Sequence, residues 1–154
     1  TVVELVLSCS NGKTTYTADA VLARFGDAAA EKRLLSVIAH TETSSYLGLN
    51  DVISALAFAP TQSLKRAIAV GLRDGGYITV GENDKLPRRS LYAGALALMF
   101  RDDASFPVKV ERWEYPDSEL EQMEQWCSSK LGVVYPSSPR QKLQWVHPTH
   151  VIPN

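Results

Sequence analysis

The chain has few cysteines, no long apolar run and no excess of charge of one sign. Its 154 residues contain two cysteines, Cys9 and Cys127, too few for the disulfide frameworks of small secreted domains. The longest apolar run, Leu91 to Phe100, is shorter than the roughly 18 residues that a membrane span requires. The 16 basic and 17 acidic side chains give a net charge of -1, which excludes a protein that coats nucleic acid by bulk charge alone.

The remaining composition is typical of a folded domain. Apolar residues make up 45% of the chain and charged residues 21%, values that disfavour intrinsic disorder. A chain of this length buries roughly 70% of its unfolded surface, so it can fold without a metal or a disulfide. We expect one domain over residues 1–154, without a cofactor. The start at Thr1 rather than Met indicates that preceding residues were removed, and without a signal-peptide pattern at residues 1–8 we expect a cytoplasmic location.

The first forty residues predict a short β-hairpin followed by two helices. The predicted elements are a strand at residues 2–7, a turn at Asn11-Gly12, a return strand at 14–17, a helix capped by Thr17 or Asp19, and a second helix from Ala28 to His40. Gly26 fits the end of the first helix and Asp27 the N-cap of the second, which is the order expected of adjoining helices.

The next segment predicts two helices around a tight turn, followed by a strand. The elements are a short helix capped by Asn50 or Asp51, a turn at Pro60, a helix opened by Thr61 or Ser63 that runs to about Asp74, a glycine pair at 75–76, a strand at 77–80 and a turn at 81–85. Proline disfavours helical geometry in the residue before it, so the short helix ends before Pro60. The run Leu91 to Phe100 is ambiguous between a helix and a buried strand.

The C-terminal part, residues 108–154, predicts a strand–helix–strand extension. Its elements are a strand at residues 108–115, a helix that runs to about Leu131 and a strand at 142–146. Ser118-x-x-Glu121 matches a capping box at the start of the helix. The residues on one apolar face of this helix are Leu120, Met123, Cys127 and Leu131. We expect the proline-rich stretch after Gly132 to wrap the domain as an extended segment.

The segment around Pro60 resembles winged-helix domains. The helix after Pro60 ends in Gly-Tyr-Ile at residues 76–78, and in winged-helix domains a recognition helix ends in this way and leads into the first wing strand. The resemblance covers about residues 28–90 and implies an α+β fold with a winged-helix-like centre. It also implies that Lys85, Arg88 and Arg89 lie on or near the wing and contact phosphate. Pro87 departs from the pattern, because it interrupts the expected second wing strand.

The helix after Pro60 has an apolar face and a polar face. At 100° per residue, one face carries the residues expected to pack on the preceding helices: Leu64, Ile68, Gly71 and Leu72. The opposite face carries Gln62, Arg66 and Arg73, with Lys65 at its flank. In a DNA major groove, arginine can read guanine edges and glutamine adenine edges. This face therefore suits nucleic acid.

The local charge agrees with that interpretation. Residues 61–91 carry six basic and three acidic groups, so the segment is positive within a nearly neutral chain. We predict a regulatory nucleic-acid-binding protein, acting for example in transcription, either as a monomer or as a homodimer. The predicted binding residues are Gln62, Lys65, Arg66, Arg73, Lys85, Arg88 and Arg89.

A non-catalytic protein-binding module is the alternative. Acidic residues are concentrated between residues 111 and 124, away from the basic segment. Such charge separation suits an inhibitor, an immunity protein or an adaptor, in which Arg66 and Arg73 would bind an acidic protein surface. The carboxylates that begin the last helix also complement its dipole: Asp117, Glu119, Glu121 and Glu124.

Catalytic and metal sites are less well supported. Cys127 and His147 or His150 are a conceivable thiol–imidazole pair for a small hydrolase, but Cys127 lies on an apolar helix face, which predicts a buried structural thiol. Pro148 disfavours the helix that would bring the two histidines together around a metal. We therefore expect a protein that is not an enzyme and holds no metal.

Overall fold

The computed structural model describes residues 16–40, 53, 60–80, 84–109 and 112–146. The fold is mixed α+β with mostly helical content. Its described elements are α1 (Tyr16–Arg24), α2 (Ala28–Ala39), α3 (Gln62–Val70), a 3-10 turn (Gly71–Arg73), β1 (Tyr77–Val80), β2 (Asp84–Pro87), α4 (Arg88–Met99) and α5 (Asp117–Leu131). Among the described residues, no helix is long and apolar enough to cross a membrane. The predicted strand at residues 2–7, nearly all of the helix before Pro60, Cys9, His147 and His150 lie outside these residues.

The connection between α1 and α2 confirms the predicted end of the first helix at Gly26 and the predicted N-cap of the second at Asp27. Gly26 has a φ of 91°, a left-handed conformation that glycine adopts without strain. The side chain of Asp27 accepts a hydrogen bond of 2.9 Å from the backbone N–H of Ala30, as an N-cap does. The first helix starts earlier than expected, since Tyr16 and Thr17 are already helical. The predicted return strand is therefore wrong at these two residues.

The beginning and the buried face of α3 also agree with the prediction. Thr61 is the N-cap and accepts a hydrogen bond of 3.3 Å from the backbone N–H of Leu64. Leu64, Ile68 and Leu72 are fully buried in the core. The α-helix ends at Val70 and continues as the 3-10 turn, so the predicted helix to Asp74 is α-helical over only part of its length.

A two-stranded antiparallel sheet follows α3. β1 pairs with β2 in a register that places Tyr77 opposite Pro87 and Val80 opposite Asp84. Pro87 is the last residue of β2, so it ends the strand and does not interrupt it. The chain then enters α4 directly, which resolves the ambiguous run Leu91 to Phe100 as helix.

α4 lies in the centre of the described core. Its residues from Arg89 to Ala97 are all buried, as expected of a helix enclosed by other elements. α3 runs antiparallel to it, because Gly71 lies against Tyr92 while Lys65 lies near Phe100.

The C-terminal part corrects three predictions. Residues 108–109 and 112–115 form no strand; Val108 and Tyr115 are buried in an irregular segment, which explains their strand-like composition. The capping box is wrong, since α5 starts at Asp117 after Pro116 and Ser118 lies inside its first turn. The predicted strand at 142–146 is reduced to one bridge between Val146 and Lys85.

The remaining expectations for α5 are confirmed. Its predicted apolar face is buried, and the buried residues are Leu120, Met123, Cys127 and Leu131. The helix ends at Gly132, which has a left-handed φ of 67°, a common helix C-terminus. The extended segment that follows contacts α3 through a hydrogen bond of 2.8 Å from the Tyr135 hydroxyl to the backbone carbonyl of Ala69, and it also contacts β2 and α4.

Candidate nucleic-acid interface

α3 is packed on three sides by other helices. Its Thr61 end meets α2, where the Thr61 hydroxyl donates a hydrogen bond to Glu31. α4 covers its apolar face, and α5 runs antiparallel along one flank. Along that flank, the Nε of Arg66 donates a hydrogen bond of 2.7 Å to the backbone carbonyl of Leu131. Among the described residues, these contacts leave an outer strip of α3 uncovered.

Three of the predicted binding residues lie on or beside this strip. Gln62 and Arg66 are exposed, and Lys65 is half-buried with its Nζ 5.7 Å from the ring centroid of Phe100. The spacing of three and four residues places them on neighbouring positions of one helix surface. The hydrogen bond to Leu131 uses only the Nε of Arg66, so its terminal nitrogens lie outside that contact.

Arg73 lies away from this strip. Its Nε and Nη2 each donate a hydrogen bond of 2.8 Å to the carboxylate of Glu124, and its Nη1 donates to the backbone carbonyl of Ser138. A 3-10 turn advances about 120° per residue instead of about 100°, so residues after Val70 depart from the face that a continuous α-helix predicts. Together with the reach of its long side chain, this turns Arg73 toward α5.

Arg88 and Arg89 occupy the first turn of α4. Arg88 binds the carboxylate of Asp74 through Nε and Nη2 at distances of 3.0 to 3.2 Å. Arg89 is buried and donates hydrogen bonds to the backbone carbonyls of Gln141 and Leu143. Burial lowers the pKa of Arg89 from its ordinary value, while nearby Asp117 opposes this shift.

Lys85 is exposed on β2, apart from the α3 residues in the chain. Its backbone forms both hydrogen bonds of the bridge to Val146, each 2.9 Å long. The structure thus does not gather the seven predicted residues into one surface. Gln62, Lys65 and Arg66 stay together on α3, Lys85 stays exposed on the hairpin, and three arginines bind the protein's own carboxylates and carbonyls.

Ion pairs in the fold join part of the basic segment to the acidic segment. Glu124 is buried and accepts hydrogen bonds from both Arg73 and Arg140. Arg140 also lies 3.7 Å from the carboxylate of Asp117. Glu124 therefore does not contribute to an exposed acidic surface, and α5 partly neutralises the basic segment within the same molecule.

Three further exposed cations are connected to Lys65 and Arg66 through neighbouring residues, and sequence reasoning missed them: Arg101, Lys109 and Lys130. Arg101 follows Phe100, the ring beneath Lys65, and Lys130 precedes Leu131, whose carbonyl binds Arg66. Two hydrogen bonds from Ser105, with weaker help from Lys109 and Lys130, lower the pKa of Asp103. No local motif joins these residues. Arg101 follows α4, Lys130 lies in the last turn of α5, and Lys109 lies in the irregular segment between the helices, where its Nζ donates a hydrogen bond to the backbone carbonyl of Asp103.

We call Gln62, Lys65, Arg66, Arg101, Lys109 and Lys130 the α3 cationic surface. Its five cations lie beside two carboxylates, Asp102 and Asp103. Arg101 approaches Asp102 at 3.6 Å, and both side chains are exposed. Pairs this exposed are weak, so Asp102 holds Arg101 only weakly.

Of the candidate catalytic residues, Cys127 lies in the described part of the chain. Cys127 is fully buried, which confirms the predicted structural thiol, and burial raises its pKa to about 11. A thiol with so high a pKa is a poor nucleophile at neutral pH. Among the described residues, no group of three or more histidine, cysteine, aspartate or glutamate side chains is placed to hold a metal ion.

Comparisons with known proteins leave the site to be interpreted from its own residues. No protein family, curated protein or solved structure matches the chain.

Proposed function

We propose that the protein binds nucleic acid, in a regulatory role, through the α3 cationic surface. The observation that carries this proposal is the position of Gln62, Lys65 and Arg66 on one exposed strip of the helix that resembles a winged-helix recognition helix. Arg101, Lys109 and Lys130 extend the strip with positive charge. Arg73, Arg88 and Arg89 support the fold in this proposal and do not contact phosphate.

The charge count sets the expected strength and salt dependence of binding. Each phosphate that a cation neutralises in duplex DNA contributes about -0.9 to the slope of log affinity against log salt, so five cations give at most about -4.5. Asp102 and Asp103 reduce the net charge of the surface. Binding should therefore be moderate at low salt and steeply weakened as salt increases.

The test is fluorescence anisotropy with a labelled random duplex and a labelled single-stranded RNA. The double variant Lys65→Ala/Arg66→Ala should lose about tenfold or more in affinity near 50 mM salt and flatten the salt slope by about two. Arg24→Ala, which removes an exposed charge from the end of α1, is the matched control. Absence of binding to both probes at low salt, or an equal loss in the control, rejects the proposal.

A second candidate function is binding to an acidic protein. Val70 is 58% exposed and continues the strip of α3, since Gln62, Arg66 and Val70 are spaced by four residues. A strip that combines an apolar side chain with arginine is typical of protein interfaces. This candidate predicts a stoichiometric partner that co-purifies with the native protein and is released by Arg66→Glu but not by Arg24→Glu.

A further inference from the structure

An open cavity of about 890 Å³ lies between α2 and the second half of α3. Its apolar wall consists of Leu35, Ile38, Ala39, Ala67 and Val70. This volume is within the range of roughly 300 to 1,000 Å³ that is typical of small-molecule sites, which are mostly apolar with a few converging polar groups. The cavity is distinct from the α3 cationic surface, whose cations lie near the first half of the helix.

Two glycines leave the space that the ring of Tyr92 and the guanidinium of Arg88 occupy at the cavity. A Cβ on Gly71 would lie 2.4 Å from the ring of Tyr92, and a Cβ on Gly76 would lie 2.1 Å from the guanidinium of Arg88. Any other residue at these positions would push the ring or the guanidinium away. Tyr92 and Arg88 both line the cavity because the two glycines admit them.

The polar end of the cavity has an excess of positive charge. The charged residues that line the cavity are two arginines, Arg73 and Arg88, and one carboxylate, Asp74, which binds Arg88. Glu124, which binds Arg73, does not line the cavity. The contacts of Arg88 with Asp74 use Nε and Nη2. Its Nη1 lies outside them, and a guanidinium nitrogen is a strong donor to a carboxylate.

We infer that this cavity binds a small amphipathic carboxylate. The aliphatic chain lies along the apolar wall of α2 and α3, and the carboxylate lies at the Arg88 end. Burial of the chain supplies most of the affinity, and the excess positive charge selects the anionic head group over a neutral or cationic one. This inference does not depend on nucleic-acid binding.

The test is isothermal titration of the intact protein with octanoate, 1-octanol and octylammonium, three probes that share one chain and differ in head group. Octanoate should bind saturably and at least about tenfold more tightly than the other two. No saturable octanoate binding below about 10 mM overturns the site. Equal binding of all three probes overturns the head-group assignment.

Two tryptophan substitutions on α3 locate the binding. Val70→Trp places a large side chain at the exposed edge of the cavity and should weaken octanoate binding at least about tenfold. Ser63→Trp is the matched control, since Ser63 is exposed on the same helix and does not line the cavity. Both positions are exposed, so both variants should fold, which circular dichroism verifies. Equal affinities in the two variants place the ligand elsewhere and overturn the inference.

Discussion

Arg73 binds Glu124 through two parallel hydrogen bonds of 2.8 Å, one to each carboxylate oxygen. The pair joins the turn after α3 to the middle of α5. Arg140 approaches the same carboxylate from the C-terminal segment, with its Nη2 2.7 Å from Oε1. One buried carboxylate therefore holds together three parts of the chain that are far apart in sequence.

Removal of the charge on Glu124 should strongly destabilise the protein. Glu124→Gln leaves Arg73 and Arg140 without their shared counter-ion, in a site where the glutamate side chain is only 8% exposed. Loss of one partner of a buried ion pair costs about 3 to 5 kcal/mol. Urea denaturation followed by circular dichroism measures the change in the free energy of unfolding.

Glu121→Gln is the control for that experiment. Glu121 lies on the same helix but is exposed, and exposed substitutions usually change stability by less than about 0.5 kcal/mol. Similar losses in the two variants would mean that the contact with Arg73 contributes little.

Local patterns predicted the helices well. Each correct prediction depends on residues within a few positions of one another. Local residue types predicted Gly26 at a helix end and the caps at Asp27 and Thr61, and the helical period predicted the buried leucines of α3. The strand at 77–80 was predicted for the same reason. The predicted strand at 108–115 failed because apolar, β-branched composition indicates burial as well as sheet pairing.

The candidate site was predicted only in part. The helical period alone predicts that Gln62, Lys65 and Arg66 lie on the polar side of α3. The partner of Arg73 is 51 residues away, and no short-range pattern indicates that an arginine on a polar face will turn toward a distant carboxylate. The same limit applies to Lys109 and Lys130, which tertiary packing brings to α3.

Gly71 should not tolerate even a small side chain. In Gly71→Ala the new methyl group would lie 2.4 Å from the ring of Tyr92, and overpacking of this kind costs about 1 to 3 kcal/mol. Part of the cost is offset because alanine favours helical geometry. Thermal unfolding should show a lower melting temperature for Gly71→Ala than for the parent protein.

A double-mutant cycle identifies the cause of that loss. In a Tyr92→Leu background the ring is absent, so Gly71→Ala should cost less than it does in the parent protein. If the cost is the same in both backgrounds, the contact with the ring is not responsible.

The Cys127 thiol should make the fold sensitive to alkaline pH. Burial raises its pKa to about 11 from an ordinary value of 9.0, so the unfolded chain loses the proton first. The stabilisation is complete below the unfolded pKa and decreases as the pH rises from about 9 toward 11. Unfolding free energies across this range should fall less steeply in Cys127→Ala than in the parent protein.

A thiol reagent provides an independent check of the same burial. In a Cys9→Ser background, Cys127 should react at neutral pH only after denaturant is added. Rapid reaction in the folded protein would show that the thiol is accessible, and the pH argument would fail with it.

Arg89 should hold the C-terminal segment against α4. Its guanidinium donates to the backbone carbonyls of Gln141 and Leu143, and Arg89→Ala leaves both without these donors. A hydrogen bond from a charged donor contributes about 1.5 to 3 kcal/mol, so amide hydrogen exchange should increase at residues 141–146. Arg101→Ala, at an arginine whose side chain is 64% exposed, should leave that exchange unchanged. If these amides remain protected in Arg89→Ala, other contacts hold the segment in place, such as the bridge between Lys85 and Val146.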